Sequence, residues 1–218
     1  MQQRRVSRLW RLPIILLLAG RQVGPDPLVQ INQPPIPSSQ IQEGELLFRR
    51  GRSLASRFVL SMDSHSDYSH VGILIFQRGE PFVVHAEPAG DRGGAGATVA
   101  EPLAKFLAPE QATAWALYRV RPGLETVASA AARRAEAYAQ AATPFDPAFN
   151  LDSSDKVYCT ELVWRCYLEA GLDLTEAKRD RVQLPFFQKE VLLPSSLLRS
   201  RLLILVERDL NSGDYKYE

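Results

Sequence analysis

SHVGILIFQRGEPFVVHAEP, residues 69–88, places two of the chain's three histidines inside two apolar runs. HVGILIFQ and PFVVHAEP are rich in β-branched and aromatic residues, and Arg78-Gly79 between them reads as a tight turn. The prediction is a β-hairpin, and its register decides where the histidines go. With an even-numbered loop centred on Arg78 and Gly79, His70 lies opposite Glu87 and diagonal to His85, and all three side chains leave one face. An odd loop would send His70 to the other side. The third histidine, His65, falls in the polar DSHSDYS segment just upstream and reads as a surface-loop residue.

Working outward, the folded part is expected to start near Gly44. ELLFRR reads as a short strand, and SLASRFVLSM as a helix behind a serine cap. Beyond the hairpin, GDRGGAGAT reads as a mobile loop and VAEPLAKFLA as a short amphipathic helix. AWALYRV is a further strand closed by Pro122, and LETVASAAARRAEAYAQAA is an alanine-rich helix ended by Pro144. After the polar loop PFDPAFNLDSSDK, VYCTELVWRCYLEAG forms a helix with Gly171 as its stop, and RLLILVERDL a last strand. Strands grouped together, with helices before and after and no βαβ rhythm, indicate an α+β fold with an antiparallel sheet.

The totals limit what else is possible. The 218 residues carry 26 Lys+Arg against 25 Asp+Glu, a net charge of +1, so no whole-protein field draws in nucleic acid, and no nucleic-acid motif is present. Residues 1–21 begin with basic side chains and continue into a short apolar run, Leu12 to Gly20, laid out as an export signal or membrane-targeting segment. Membrane contact is expected through this segment, in a protein of the cell envelope or periplasm. LLLAG resembles a lipoprotein signal, but Arg21 occupies the position of the lipid-bearing cysteine, which argues against lipidation. Residues 22–43, with five prolines, read as a linker, leaving 44–218 as one domain.

Two cysteines remain, Cys159 and Cys166, seven residues apart in one helical stretch. At about 1.5 Å rise per residue their backbones stand roughly 10 Å apart, beyond disulfide reach. Cys159 is expected at the helix start, behind Ser153, Ser154 and Asp155 as candidate caps. Free N–H groups and the helix dipole there lower a thiol pKa and can hold an oxyanion. Cys166 lies deeper and reads as core. A histidine oriented by a second polar group and facing a thiol is a nucleophile–base–orienter set. Against this stand the plainer possibilities that Cys159 is a small buried hydrophobe and that each histidine is satisfied separately in the core.

YSHVGI, FVVHA and PFDPAFNLDSSDKVYCTELVW, in that order, resemble the bacterial YiiX/YebB-like cysteine hydrolases, a branch of the NlpC/P60 superfamily. GELLF and VLLPSSLL fit the opening and closing segments, so the likeness runs from Gly44 to about Ile204. It implies a circularly permuted papain-like fold, with the histidine strands ahead of the cysteine helix and the sheet packed on that helix. It also implies a thiol hydrolase of amide, peptide or related acyl bonds, acting on a peptide, amino-acid amide or acyl substrate without metal or cofactor. Carried over by position, Cys159 is the nucleophile, His70 the base and His85 the orienter, where many relatives have Glu. Glu87 is the rival orienter, and Tyr158 a candidate oxyanion support.

Two other readings stay open. A lipid acyltransferase or phospholipase similar to lecithin:retinol acyltransferase also uses two histidines and a cysteine, and VVHAEPAGDRGGAGATV resembles its second-histidine region. YCTELVW, however, lacks the Asn-Cys-x-His-Phe block of those enzymes. A non-catalytic or metal-binding envelope domain would use His65, His70, His85 and Cys159 as zinc ligands, which must converge at about 2.0–2.3 Å.

Overall fold

The structure is a computed structural model that describes Ile36 and residues 40–89, 96–185 and 187–210. The predicted N-terminal segment 1–21 and most of the Gly-rich stretch, residues 90–95, lie outside the described residues.

Among the described residues, β1 (Leu46–Gly51), β2 (His70–Gln77), β3 (Glu80–Glu87), β4 (Ala97–Pro102), β5 (Ala112–Val120) and β8 (Leu203–Leu210) form one antiparallel sheet, ordered β4-β3-β2-β1-β5-β8. A two-stranded sheet, β6 (Asp180–Leu184) with β7 (Phe187–Val191), stands apart from it. The α+β expectation holds.

The hairpin turns as its sequence demands. Gln77 pairs with Glu80, and the two residues between them, Arg78 and Gly79, have φ of 54° and 85°. Both central residues in the left-handed region match a two-residue hairpin loop, the even case that puts both histidines on one face.

Both faces of the sheet are buried, which is why its strands read as unbroken apolar runs. Leu46, Phe48, Val71, Ile73, Val84, Ala114 and Ala116 face one core with α3 (Glu125–Gln140) and α4 (Cys159–Glu169). The alternate residues Leu47, Leu74, Val83, Trp115 and Leu117 face a second core with α2 (Leu103–Phe106). Ala128, Ala131, Ala132 and Ala135 bring α3 close to the sheet because they have almost no side chain to accommodate.

Three expectations need correction. VAEPLAKFLA is not one helix: it is strand up to Pro102 and helix only from Leu103. Proline is tolerated there because β4 is an edge strand and α2 begins at the next residue. Secondly, Ile36 and Ile41, inside the expected linker, are 0% and 5% exposed and pack in the second core, so the folded unit begins before Gly44. Thirdly, β6, β7 and α5 (Pro194–Leu198) lie in a stretch where no element was anticipated. By contrast α1 (Leu54–Met62) starts as expected, with Ser53 Oγ accepting the Ser56 N–H at 3.1 Å.

Candidate active site

Four adjacent strands each place one buried polar side chain on the α2 face of the sheet. Arg49 of β1 pairs with His70 of β2, Leu74 pairs with Val83, and Val83 with Glu101 of β4. Period-two alternation then sets Arg49, His70, His85 and Glu101 in a row across the strands. None is more than 8% exposed, so the row is almost dry. Phe106 of α2 covers it: its ring centroid lies 5.0 Å from that of His85 and 5.9 Å from that of His70. The Arg49 guanidinium stacks 4.1 Å from the same ring and donates to the Phe106 carbonyl at 2.8 Å.

Within the row, His70 Nε2 and His85 Nδ1 share a hydrogen bond of 2.9 Å. The other nitrogen of His85, Nε2, faces Glu101 Oε2 at 3.4 Å; among the described residues it has no hydrogen bond of full geometry. Lys105 of α2, four residues on, holds Glu101 Oε1 at 2.8 Å, and Arg49 Nη1 stands 3.8 Å from Oε2. Burial pushes the His70 pKa well below the ordinary histidine value, and the charges of Arg49 and His85 add to this. Burial lowers His85 too, against the pull of Glu101. For Glu101 burial pushes up, but His85 and Lys105 outweigh it and hold the carboxyl at about 2. Two neutral imidazoles beside an ionised carboxylate result.

Cys159 opens α4, with Tyr158 as the N-cap residue. Its sulfur is 3.7 Å from Thr160 Oγ1 and lies near the backbone of Val71, the residue after His70. The Val71 amide falls outside the β2–β3 pairing. Leu74 N–H points to β1, so the odd residues of β2 point to β3, and the β2–β3 pairing extends only to Ile73 with Val84. Cys159 packs in the helix-side core at the start of α4, which lies against β2 and β3, while the histidines project from the opposite face of those strands.

The expected lowering of the Cys159 pKa is not found. Burial raises it, and the hydrogen bonds from Thr160, Val71 and its own amide only partly offset this. Ser153, Ser154 and Asp155 are not the caps either; the carboxylate of Glu161 reaches back to the Tyr158 N–H at 3.3 Å. Glu161 is itself buried, which lifts its pKa to about 7 despite Arg165 at 2.6 Å.

The remaining expected residues sort by position. Glu87 is exposed at the end of β3, whereas His85 is the residue bonded to His70. The Tyr158 ring is buried and its hydroxyl accepts the Leu192 N–H at 2.8 Å, so its polar end serves the chain entering α5. Cys166 is fully buried in the helix-side core. His65 lies exposed in the loop before β2, beside Ser64, and among the described residues no three His, Cys, Asp or Glu side chains are placed to hold a metal ion. The sequence reading missed Arg49, Glu101 and Lys105. The alternation in Thr98-Val-Ala-Glu101 was the available signal, masked by the proline that follows.

A family model described as "Permuted papain-like amidase enzyme, YaeF/YiiX, C92 family" matches residues 40–206. An Escherichia coli K12 relative, "Uncharacterized protein YiiX", is 30% identical over 142 residues, covering 64% of this chain and 64% of that protein's length. A crystal structure of "metalloprotein yiiX" from Escherichia coli O157:H7 superposes with a TM-score of 0.63 at 23% identity, over 78% of this chain and 98% of that one, a likeness of fold. With its family match spanning both the histidine strands and the cysteine helix, the chain belongs to the permuted papain-like amidases of the YaeF/YiiX, C92 family.

Proposed function

We propose that this chain is a cysteine hydrolase of amide or related acyl bonds, with Cys159 as nucleophile, His70 as base and His85 as the group that orients it. The observation that carries this is the buried His70–His85 pair, joined Nε2 to Nδ1 at 2.9 Å, in a chain whose family match spans both the histidine strands and the Cys159 helix. With Nε2 committed, Nδ1 of His70 is the nitrogen left to take a proton. Burial raises the thiol and lowers the imidazole, so both rest neutral rather than as a preformed ion pair. Deprotonation then accompanies attack: Sγ–H passes its proton to His70 Nδ1 as sulfur bonds to the carbonyl carbon. The oxyanion rests on N–H groups of the first turn of α4. The imidazolium gives that proton to the departing amine, leaving a thioester, and water deprotonated by the same histidine releases the acid.

The basic-then-apolar segment 1–21 supports export, and with it peptidoglycan-type peptides as the substrate class. The two-histidine pair also suits acyl transfer from a lipid, while the YCTELVW block favours the peptide reading. The relative described as a metalloprotein raises metal binding here as well, but His70 and His85 spend nitrogens on each other and, among the described residues, no three His, Cys, Asp or Glu side chains are placed to hold a metal ion, so the steps above are written without one.

The test is alkylation of Cys159 by iodoacetamide across pH, together with hydrolysis of cell-wall peptides and of phospholipid vesicles. Reactivity should rise only above the ordinary thiol range, fall in His70→Ala, and vanish with hydrolysis in Cys159→Ser. Hydrolysis that survives Cys159→Ser refutes the proposal; cleavage of phospholipid alone selects the lipid alternative.

A further inference from the structure

The geometry points to Glu101 as a positioning residue for the base: from β4 it keeps the proton of His85 on Nε2 and so fixes His70 in the tautomer whose Nδ1 is bare. This rests on the hydrolase reading above and adds a third member behind the histidine pair.

The argument is one of proton counting. Two neutral imidazoles joined Nε2 to Nδ1 can share their hydrogen bond in two ways. If His70 Nε2–H donates, His85 Nδ1 accepts, and the proton of His85 sits on Nε2, pointing at Glu101 Oε2 3.4 Å away. His70 Nδ1 then carries a lone pair. If instead His85 Nδ1–H donates, His85 Nε2 turns a lone pair toward the carboxylate, and the proton of His70 moves to Nδ1. In that state His70 cannot accept a proton from sulfur. An ionised Glu101 attracts the first arrangement and repels the second, in a site with almost no water to screen either.

The surroundings keep Glu101 ionised and in place. Lys105, 68% exposed at its side chain, binds Oε1 from the solvent edge, and Arg49 stands 3.8 Å from Oε2. Glu87 contributes a more distant negative charge felt by Arg49, His85 and Lys105. Phe106 excludes water from the imidazole side. No proton need reach Glu101 during the reaction; it sets the starting tautomer and favours the imidazolium that follows.

Nitrogen–proton correlation NMR of the wild-type protein tests this without any substitution. His85 should be protonated at Nε2 only, and His70 at Nε2 with Nδ1 bare; the opposite pattern overturns the inference. Glu101→Gln supplies the second reading, because its amide N–H2 can donate to a bare His85 Nε2 and reward the wrong tautomer. The expected result is a fall in kcat of about 100-fold with KM little changed, a switch of the His70 tautomer, and partial return of rate in Glu101→Asp. A Glu101→Gln protein that keeps the wild-type tautomer and kcat refutes the assignment. His70-dependent alkylation of Cys159 in the wild type checks the hydrolase reading separately, so the two failures are distinguishable.

Discussion

Replacing Gly72 by alanine tests the link between strand spacing and the histidine pair. Extending the register one pair beyond Ile73–Val84 sets Gly72 opposite His85. A Cβ built there would stand 2.4 Å from Val83 Cγ1, 2.7 Å from the Val84 carbonyl oxygen and 3.1 Å from His85 Cβ. Carbon–carbon contacts settle at about 3.5–4.0 Å, so the Val83 methyl must retreat by roughly 1.1 Å. Val83 is fully buried in the second core and has nowhere to go. The carbonyl is backbone, and reaching an ordinary C···O separation of about 3.3 Å displaces β3 by roughly 0.6 Å. Overpacking of this kind costs about 1–3 kcal/mol. The same displacement carries the 2.9 Å histidine bond to the edge of useful hydrogen-bond length. Two assays separate these effects: urea unfolding for stability, and alkylation of Cys159 with kcat/KM under conditions where both proteins are folded. The expected outcome is a lower urea midpoint and a rate per folded molecule reduced roughly tenfold or more. Wild-type stability would refute the packing argument; lost stability with an unchanged rate would refute the claim that strand spacing sets the base.

Other outcomes follow from the same structure. Both histidines have lowered pKa values, so as pH falls below 6.5 the unfolded chain takes up protons that the folded one refuses, and stability declines by up to about 2.7 kcal/mol per pH unit for two groups. Glu101, held at about 2, loses its contribution in the same direction below its ordinary value of 4.5. Urea midpoints measured from pH 7 to 5 should fall in the wild type and flatten in His70→Ala. Arg49→Met removes a charge that helps depress His70, so the His70 titration followed by NMR should move up toward 6.5; a downward move or none contradicts the electrostatic account. Tyr158→Phe strands the Leu192 N–H, with an expected loss of about 1–3 kcal/mol in denaturation and little change in kcat; a large kcat loss at full stability would show that the hydroxyl acts in the reaction.

How far the sequence could be read depended on whether a pattern was local. The hairpin was legible because two residues, Arg78 and Gly79, fix its parity and hence the face of both histidines. The start of α4 at Cys159 was legible from its flanking loop and apolar spacing. The thiol pKa was not, because the sequence shows a helix terminus but not the burial that overrides its N–H groups. Glu101 was hidden for a different reason: Pro102 ends the strand in the middle of a segment with helical spacing, so one alternating run and one short helix merged into a single amphipathic pattern. Ile36 and Ile41 were lost among prolines and amides, whose composition resembles a tether although two side chains reach the core.

The row of one polar side chain per strand also sets rules for how related genes can lengthen or shorten. Residues added to a connection such as that between β3 and β4 leave every member on its face. A single residue inserted within β2, β3 or β4, without a bulge to absorb it, turns the side chains beyond it through the sheet and sends a histidine or the carboxylate toward the helices. Length variation compatible with this arrangement therefore belongs in the loops, and a frame-preserving codon gained mid-strand would dismantle the array while sparing every one of its residues.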